Sequence, residues 1–533
     1  MNTLIKNGLI VDGSGKKGYQ ADLLISGKKI ESIGTNLDAA GAKVIDANGL
    51  VVAPGFIDTH THSDVEVLIR PELLPKVMQG ITTEVLGQDG ISMAPLPQQY
   101  IGPWRKNLAG LDGDSDEIDW TFENTAGYLK MIEDVIPGTN QCYLVPHGNI
   151  RMEALGLSNV QPTDADMENI RAITRREMEA GAVGLSSGLI YMPCAYSQME
   201  EIIEMCKVVA EYDGLFVIHQ RSEADTILDS MEEVIEIGRK SGVHIHYSHF
   251  KVCGKKNWDK AEQIIALLEG AQAEGIRISF DQYPYIAGST MMGVILPPWA
   301  HDGGTDQLIA RLKDPKAREQ MIYDIENGIS GWDNFVDFAG VDNIYVTSVK
   351  NAKNEDAVGL SLTQLGTLRG KDPFNAIFDL IEQEENAVGM VNFWGNEENV
   401  GLFMKRPEMN VCTDGLLGGK PHPRVYGAFP RVLGKYVRED KLFSLEEAVY
   451  KMTKKPATTF HIVERGELKE GFFADICIFD PETVIDKGTF TEPAQYPEGI
   501  VHVIINGEAV VSSGVPTKIR SGKVLYKRGI EVS

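Results

Sequence analysis

Histidines and one carboxylate recur at the ends of short apolar runs in this 533-residue chain. His60 and His62 end PGFIDTHTH, His219 ends LFVIH, His249 ends VHIHYSH, and Asp414 ends MNVCTD. Residues i and i+2 of a strand face the same side, so His-x-His places two imidazoles next to each other. Neutral imidazoles and a carboxylate suit a divalent cation such as Zn²⁺. The set therefore predicts a metal site.

The segments that carry these residues alternate between strand-like and helix-like patterns. Short apolar runs such as FIDTHTH, CYLVPHG and LFVIH are separated by amphipathic stretches, several of which end in Gly, the usual helix C-cap. Eight such alternations predict an α/β protein with a parallel (β/α)₈ TIM-like barrel. Barrel enzymes place their chemistry at the C-terminal ends of the strands, which is where these side chains fall.

The two ends of the chain have a different pattern from the middle. LIKNGLIVDGSG near the start and GIVHVIINGEAVVSSG near the end are short apolar alternations punctuated by turn residues, which is typical of antiparallel β-structure. We expect residues 1–54 and 462–533 to pair into one small β-sandwich, with the barrel over residues 55–461. The stretch at about 295–345 exceeds a minimal barrel and predicts an inserted lid subdomain.

Composition narrows the class of protein. Hydrophobic residues make up 43% of the chain, enough for a large core, and the net charge of −25 argues against nucleic-acid binding. No apolar run approaches the roughly 20 residues that span a bilayer, and the N-terminus lacks a signal-peptide pattern. Six cysteines without CxxC spacing fit a reducing compartment. We therefore expect a cytoplasmic protein without a nucleic-acid or membrane partner, and the sequence leaves its oligomeric state open.

Longer motifs resemble the amidohydrolase superfamily, and more closely its D-aminoacylase (N-acyl-D-amino-acid deacylase) family. PGFIDTHTHSD resembles the first-strand metal motif of the superfamily. GLSSGLIYMP, YSHFK, DQYPYIAGST and PHPRVYGAFPRVLG resemble the narrower family, and the matching stretches cover nearly the whole chain. The resemblance implies a hydrolase that uses one or two Zn²⁺ ions. Its substrate would be a small-molecule N-acyl-D-amino acid, from which it releases the free D-amino acid.

The resemblance also implies roles for the strand-end residues. His60, His62 and Asp414 would form one side of the metal site. His219 and His249 would hold the more tightly bound zinc. Asp414 would in addition be the general base that takes a proton from the attacking water and passes it to the leaving amine.

Asp89 marks a departure from the family pattern. The family reads GNCG after the second strand, with the Cys as a metal ligand, whereas this chain reads GQDG. We predict that Asp89 is a metal ligand, since a carboxylate can ligate zinc and can bridge two metals. The alternative is that Asp89 only serves an Asp-Gly turn. Exchange of a soft thiolate for a hard carboxylate favours a wider choice of metal or a second ion.

The remaining predicted roles concern the substrate. Tyr191 would donate a hydrogen bond to the developing oxyanion, although it could equally be a packing aromatic. Arg424 is the best candidate to bind the substrate carboxylate, because guanidinium binds carboxylate bidentately. Lys251, Tyr283 and Ser289 resemble the family's other carboxylate contacts. The run STMMGVILPPWA contains no Lys or Arg, which favours a neutral or hydrophobic amino-acid side chain, although its methionines could equally be core.

Two other functions remain open at this point. Dihydroorotases and hydantoinases, which open cyclic amides, use a carboxylated Lys at the end of the fourth strand, and AVGLSSGLIY contains none. A non-catalytic binding protein that kept the barrel would typically lose metal ligands, whereas every imidazole position is filled here. Hydrolysis of N-acyl-D-amino acids is therefore the first prediction.

Overall fold

The structure is a computed structural model, and it describes residues 2–38 and 40–527. Its strands are β1 (Asn2–Ile10), β2 (Tyr19–Ser26), β3 (Lys29–Gly34), β4 (Lys43–Asp46), β5 (Val51–Pro54), β6 (Phe56–Asp58), β7 (Thr61–His62), β8 (Ile81–Leu86), β9 (Asn140–Pro146), β10 (Gly184–Gly188), β11 (Leu215–His219), β12 (His244–Tyr247), β13 (Ile278–Gln282), β14 (Ala287–Met291), β15 (Ile344–Val349), β16 (Val388–Phe393), β17 (Met409–Val411), β18 (Gly415–Leu416), β19 (Ile476–Phe479), β20 (Ile500–Ile505), β21 (Glu508–Ser512) and β22 (Val515–Pro516).

The α-helices are α1 (Glu66–Ile69), α2 (Leu74–Val77), α3 (Ile101–Leu108), α4 (Thr125–Val135), α5 (His147–Leu155), α6 (Asp164–Glu179), α7 (Met199–Glu211), α8 (Ile227–Ser241), α9 (Ala261–Ala273), α10 (Thr305–Lys313), α11 (Pro315–Asn327), α12 (Phe335–Ala339), α13 (Leu362–Arg369), α14 (Pro373–Gln383), α15 (Glu397–Met404), α16 (Arg424–Arg431), α17 (Leu445–Met452) and α18 (Lys454–Thr459). A π-helical segment, Val432–Glu439, continues α16.

The barrel consists of parallel strands whose order in space is their order in the chain. Strands β6, β8, β9, β10, β11, β12, β13 and β17 lie side by side in that order. Past the two outer strands the row closes, because β7 pairs in parallel with β18, with Thr61 opposite Gly415. The predicted (β/α)₈ barrel of the α/β class is confirmed.

Burial explains why these segments form this layer arrangement. Every residue of β8 (ITTEVL) and β11 (LFVIH) is buried, as expected for barrel strands that pack on both faces. The outer helices bury only one face: α8 buries Met231, Val234 and Ile235. Its C-terminal cap is Gly242, whose φ of 74° suits a residue without Cβ.

The two ends of the chain form one sheet outside the barrel, which we call the terminal sheet; it contains β1–β5 and β19–β22. β19 runs antiparallel to β5, with Ile476 opposite Pro54 and Phe479 opposite Val51. One face of the terminal sheet carries its own apolar cluster, which includes Ile5 and Ile478. The predicted pairing of the chain ends is confirmed.

Between β13 and β17 the chain leaves the barrel, and we call residues 287–404 the inserted segment. It contains an antiparallel sheet in the order β14-β16-β15 together with α10–α15. The insertion predicted at about 295–345 lies within it but is too short, since β14 and β16 fall outside that range. β16 (VGMVNF) has the short apolar pattern of a barrel strand, whereas β14 (AGSTM) does not, and their antiparallel pairing places both outside the barrel.

Two expectations from composition can be compared with the structure. All six cysteines lie in the described part of the chain, and each is free and buried. Within residues 2–38 and 40–527, no helix has both the length and the apolar character needed to cross a bilayer.

Candidate metal centre

The predicted metal ligands lie together at the C-terminal ends of the barrel strands. All of them are buried. His60 and His62 lie close together after β6, and each of the others lies at the end of its own strand or in the turn that follows it. The residues brought together are His60, His62, Asp89, His219, His249 and Asp414. Their side-chain atoms form three overlapping groups in which all ligand atoms lie within 4.8 Å of one another.

Asp89 is shared by two of these groups. On one side, its Oδ1 is 3.7 Å from His249 Nε2, which is 2.9 Å from His219 Nδ1. On the other side, Oδ1 is 3.7 Å from His60 Nε2 and Oδ2 is 3.5 Å from His62 Nε2. Donor atoms around a tetrahedral zinc are roughly 3.4 Å apart, given bonds of about 2.1 Å. The spacing on either side of Asp89 is therefore compatible with a bound ion.

Asp414 presents its two oxygens to different partners. Oδ1 lies 3.7 Å from His60 Nε2 and 3.4 Å from His62 Nε2. Oδ2 lies 2.8 Å from Nη1 of the buried Arg424. One oxygen can therefore face a metal or a water while the other pairs with the guanidinium.

Unpartnered polar atoms test whether the site fits a metal. His60 Nε2, His62 Nε2 and Asp89 Oδ1 are buried and have no hydrogen-bond partner among the described residues. Buried polar atoms are almost always paired, because leaving one unsatisfied costs about 1–3 kcal/mol. Here three such atoms face the same point, and each is a lone-pair donor. A divalent cation at that point would satisfy all three, so the residues fit a metal.

Supporting carboxylates fix the orientation of two imidazoles. Asp112 Oδ1 is 2.8 Å from His62 Nδ1, and Glu223 Oε1 is 3.1 Å from His249 Nδ1. At His62 the carboxylate holds the proton on the far ring nitrogen and leaves the near nitrogen free to ligate a metal. At His249, Nδ1 also lies 2.7 Å from the Lys251 ammonium, which can only donate. Both rings are therefore held with Nε2 toward the centre.

The backbone is in the left-handed region at three of the predicted ligands. The φ angles of Asp89, His249 and Asp414 are 56°, 36° and 46°. Such conformations are uncommon outside glycine and persist where surrounding contacts enforce them. Two such contacts are the bonds from His249 N to Asp281 Oδ1 (2.6 Å) and from Asp414 N to His60 O (2.8 Å). These backbone conformations direct the three side chains toward the mouth of the barrel.

The charge states suit metal ligation. Burial alone would raise the pKa of Asp89 and of Asp414, but the charges of neighbouring groups lower both pKa values below the ordinary range. For Asp89 the main such neighbour is His60, and for Asp414 it is Arg424. Burial lowers the pKa of His219 to about 4. Two ionised carboxylates and a neutral imidazole are the forms that bind metal ions. Burial alone would lower the pKa of His62 and of His249, but neighbouring carboxylates raise both pKa values, so these two rings would lose a proton on binding a metal.

A narrow cavity lies beside the centre, and the predicted substrate-binding residues are close to it. Lys251, Tyr283 and Ser289 line it. Arg424 lies next to it, with its guanidinium carbon 4.4 Å from the centre of the Tyr283 ring. The Lys251 ammonium is 2.7 Å from Glu223, so that cation already has a carboxylate partner.

Tyr191 also lines this cavity, and its hydroxyl lies 2.7 Å from Thr290 Oγ1. Burial, together with the charge of Asp89, raises the pKa of Tyr191 well above its usual value. The phenol therefore keeps its proton and can donate a hydrogen bond.

The methionine-rich run contributes core rather than cavity wall. Met291 and Met292 are buried in the main hydrophobic core, and neither is among the described residues that line the cavity. The less polar part of the wall comes from Cys253, Phe335 and Trp394. The last two belong to the inserted segment.

Three residues next to the predicted site were missed from the sequence. Glu223 follows His219 by four residues, and a carboxylate just past a strand end could have signalled it. Asp112 and Trp394 come from a long loop and from the inserted segment, and no spacing in the sequence connects either with the histidines.

Comparison with known proteins finds similarity over the full length of the chain. A profile of the Amidohydrolase family matches residues 43–308 and 404–511. The chain is 34% identical to D-aminoacylase of Alcaligenes xylosoxydans xylosoxydans, over 98% of this chain and 97% of that protein. It is 33% identical to N-acyl-D-glutamate deacylase of the same organism, over 99% and 97%.

A solved structure is similar over the same extent. It is N-acyl-D-glutamate deacylase from Bordetella bronchiseptica, complexed with zinc and a phosphonate inhibitor that mimics the tetrahedral intermediate of the reaction. The two folds agree with a TM-score of 0.84 at 33% identity, covering 98% of this chain and 99% of that one.

Proposed function

The chain belongs to the amidohydrolase family, and we propose that it hydrolyses the amide bond of N-acyl-D-amino acids to a carboxylate and a free D-amino acid. The observation that carries this proposal is the convergence of His60, His62, Asp89, His219, His249 and Asp414 beside a cavity with cationic neighbours. The similar proteins named for this chemistry match almost the whole chain, including the ends that form the terminal sheet.

We assign the metal as zinc, in one or two ions. His219 and His249 with Asp89 would hold one ion, and His60 and His62 with Asp89 or Asp414 would hold the other. When bound, zinc lowers the pKa of water toward 7 and polarises an amide carbonyl. The unpartnered nitrogen and oxygen atoms of the centre support this assignment.

Asp414 is the proposed general base and acid. It is ionised, and its Oδ1 faces the centre while Arg424 holds Oδ2, so the free oxygen can accept a proton from the attacking water. The water oxygen bonds to the acyl carbon and the carbon–nitrogen bond then breaks. Asp414 returns the proton to the departing amine, so no proton is gained or lost overall.

Tyr191 is the proposed donor to the oxygen that becomes negative during attack. Its protonated hydroxyl lies at the cavity wall, and its ring centre is 5.6 Å from that of His219. A donor already held in place stabilises the developing charge without reorganising at the moment of reaction.

Arg424, Lys251, Tyr283 and Ser289 are the proposed contacts of the substrate carboxylate. Arg424 Nε and Nη1 make no hydrogen bond within the described residues, although Nη1 is ion-paired with Asp414. A buried guanidinium with an unused donor favours a carboxylate ligand. These local cations are needed because a protein with a net charge of −25 repels anions at long range.

The amino-acid side chain is proposed to be neutral or hydrophobic. Among the described residues that line the cavity, Lys251 is the one cation, and it is paired with Glu223. An acidic side chain would need a further cation, whereas Phe335 and Cys253 offer apolar surface.

A substrate comparison tests the proposal. Zinc-loaded protein is incubated with N-acetyl-D-leucine, N-acetyl-L-leucine, N-acetyl-D-glutamate and a 5-substituted hydantoin, and the released amine or opened ring is measured. We expect amine release from N-acetyl-D-leucine and little release from its L-isomer. Release from N-acetyl-D-glutamate should be slower than from N-acetyl-D-leucine. Ring opening without D-selective deacylation would contradict the proposal, as would no turnover with metal bound.

A cytoplasmic location is also proposed. Its support is the set of six buried, unpaired thiols, which is typical of proteins that fold in a reducing compartment.

A further inference from the structure

Trp394 has an indole N–H that takes part in none of the interactions described above. The residue follows β16 in the inserted segment and is 4% exposed. Its indole Nε1 is buried and has no hydrogen-bond partner among the described residues. Indole N–H can only donate, so its natural partner is an acceptor that the protein itself does not provide.

The surrounding contacts hold Trp394 firmly. Its carbonyl accepts from Gly254 N at 2.9 Å and from Trp258 Nε1 at 3.0 Å, and its own N–H donates to Ile286 O at 3.3 Å. These bonds fix the backbone of Trp394. Its ring is buried and packs edge-on against Tyr283, with the ring centres 6.3 Å apart.

Gly288 lies against both Trp394 and Tyr283. A Cβ at position 288 would lie 3.0 Å from Trp394 Nε1 and 3.3 Å from the Tyr283 hydroxyl oxygen, closer than ordinary contacts of a Cβ. A side chain at this position would crowd both donors, whereas glycine leaves the indole N–H and the hydroxyl uncovered. Gly288, Trp394 and Tyr283 all line the cavity beside the candidate metal centre.

The neighbouring charges identify the kind of acceptor. Lys251 Nζ lies 5.8 Å from the Trp394 ring centre, and the Arg424 guanidinium stacks on Tyr283. Lys251 already pairs with Glu223 and Arg424 with Asp414, but Arg424 Nε has no partner among the described residues, and a charged donor that is still unused favours an anionic acceptor. In the proposed reaction the acyl carbonyl of the substrate lies at the adjacent metal centre. The anion at the Trp394 end of the cavity is therefore the substrate's own carboxylate.

We propose that Trp394 is a further substrate-binding residue, which donates its indole N–H to one oxygen of the substrate carboxylate in the cavity beside Gly288. This inference rests on the proposed function for the identity of the anion. Trp394 would then be a second residue of the inserted segment, after Ser289, that contacts the substrate carboxylate.

Ligand pairs with and without the carboxylate test the inference. Dissociation constants of D-leucine and of 3-methylbutylamine, which lacks only the carboxylate, are measured by NMR titration of zinc-loaded protein. Trp394→Phe keeps the ring and removes the donor, so it should weaken D-leucine binding about tenfold or more and leave the amine unchanged. Equal weakening of both ligands would overturn the inference, and so would no change in either.

Two further variants complete the test. Gly288→Ala places a methyl group 3.0 Å from Trp394 Nε1, at a position without a positive φ, so it should cover the donor and reproduce the selective loss even if Trp394→Phe fails to fold. Trp299→Phe is the matched control, because its indole already donates to Asp324 within the inserted segment, and it should change neither affinity. These binding measurements do not require turnover. A failed deacylase assay would therefore reject the proposed function, whereas the role of Trp394 is decided by the affinities alone.

Discussion

At Asp414, the two oxygens of one carboxylate face partners of different kinds. Oδ1 faces His60 and His62, and Oδ2 is paired with Arg424. Asp414→Asn keeps the shape but cannot take up a proton, so we expect kcat to fall by about 10²–10⁴-fold. Steady-state kinetics checks this, with zinc content measured in parallel to show that the centre still binds metal. A kcat within tenfold of the native value would exclude Asp414 as the general base.

Substitution can also distinguish the two predicted roles of Asp89, as a metal ligand or as a turn residue only. Asp89→Cys supplies the thiolate that the family pattern carries, so the protein should shift its preference from Mn²⁺ toward Cd²⁺ and Zn²⁺. Bound metals are measured by mass spectrometry after dialysis against equal mixtures of the three ions. Asp89→Asn is the matched control and should lose metal, because the amide is a weaker ligand. If Asp89→Asn kept full metal content, Asp89 would be a turn residue only.

At the residue scale, the sequence predicts those side chains whose position the strand pattern itself determines. His219 and His249 end recognisable apolar runs, and parallel strands bring such ends to one face of a barrel. Asp112 and Trp394 reach the same place from a loop and from the inserted segment. Their approach depends on tertiary packing, which local periodicity does not encode.

At the scale of elements, the inserted segment is bonded directly to the site. Asp333 accepts hydrogen bonds of 2.6 Å from Ser222 Oγ and from Glu223 N, and Phe335, two residues later, lines the cavity. Asp333→Ala removes both bonds, so we expect the KM for N-acetyl-D-leucine to rise about tenfold as Phe335 loses its fixed position.

The matched control for this prediction is Asp337→Ala in the same segment. Asp337 is half exposed and pairs with Lys256 on the surface, so its loss should leave KM unchanged. Hydrogen exchange at residues 331–340 would report the loosening independently. Unchanged KM and exchange in Asp333→Ala would show that this anchor does not shape the cavity.

The elements themselves were largely predictable, and the exception has a physical cause. Barrel strands and helices differ in hydrophobic period, so their alternation can be read directly. β16 has the same short apolar pattern as a barrel strand, but it pairs antiparallel to β14. Pairing direction is a property of the assembled sheet, so the extent of the inserted segment could not be predicted from the pattern.

At the scale of the whole molecule, a buried polar cluster connects the terminal sheet to the barrel. Asp475 pairs with Arg465, accepts from Asn506 N at 2.7 Å and accepts from Asn140 Nδ2 at 3.0 Å. Asn140 begins β9, so the connection lies at the end of the barrel opposite the candidate metal centre. This cluster is one polar link between the chain ends and the barrel strands; backbone hydrogen bonds between Gln141 and residues 523 and 525 are another.

Loss of this cluster should destabilise the molecule as a unit. Asp475→Ala leaves the buried Arg465 without its anion, so we expect the free energy of unfolding to fall by about 3–5 kcal/mol. Denaturant unfolding followed by both fluorescence and circular dichroism checks this. Asp119→Ala, at an exposed carboxylate, should change little. A loss below about 1 kcal/mol for Asp475→Ala would mean that this cluster does not hold the two parts together.

Anomalous diffraction from crystals grown with zinc tests the central claim most directly. We predict a peak about 2.0–2.3 Å from ligand atoms of Asp89, His219 and His249, and at higher zinc concentration a second peak near His60 and His62. A well-ordered crystal with these five side chains in place and no zinc within coordinating distance of them would contradict the account.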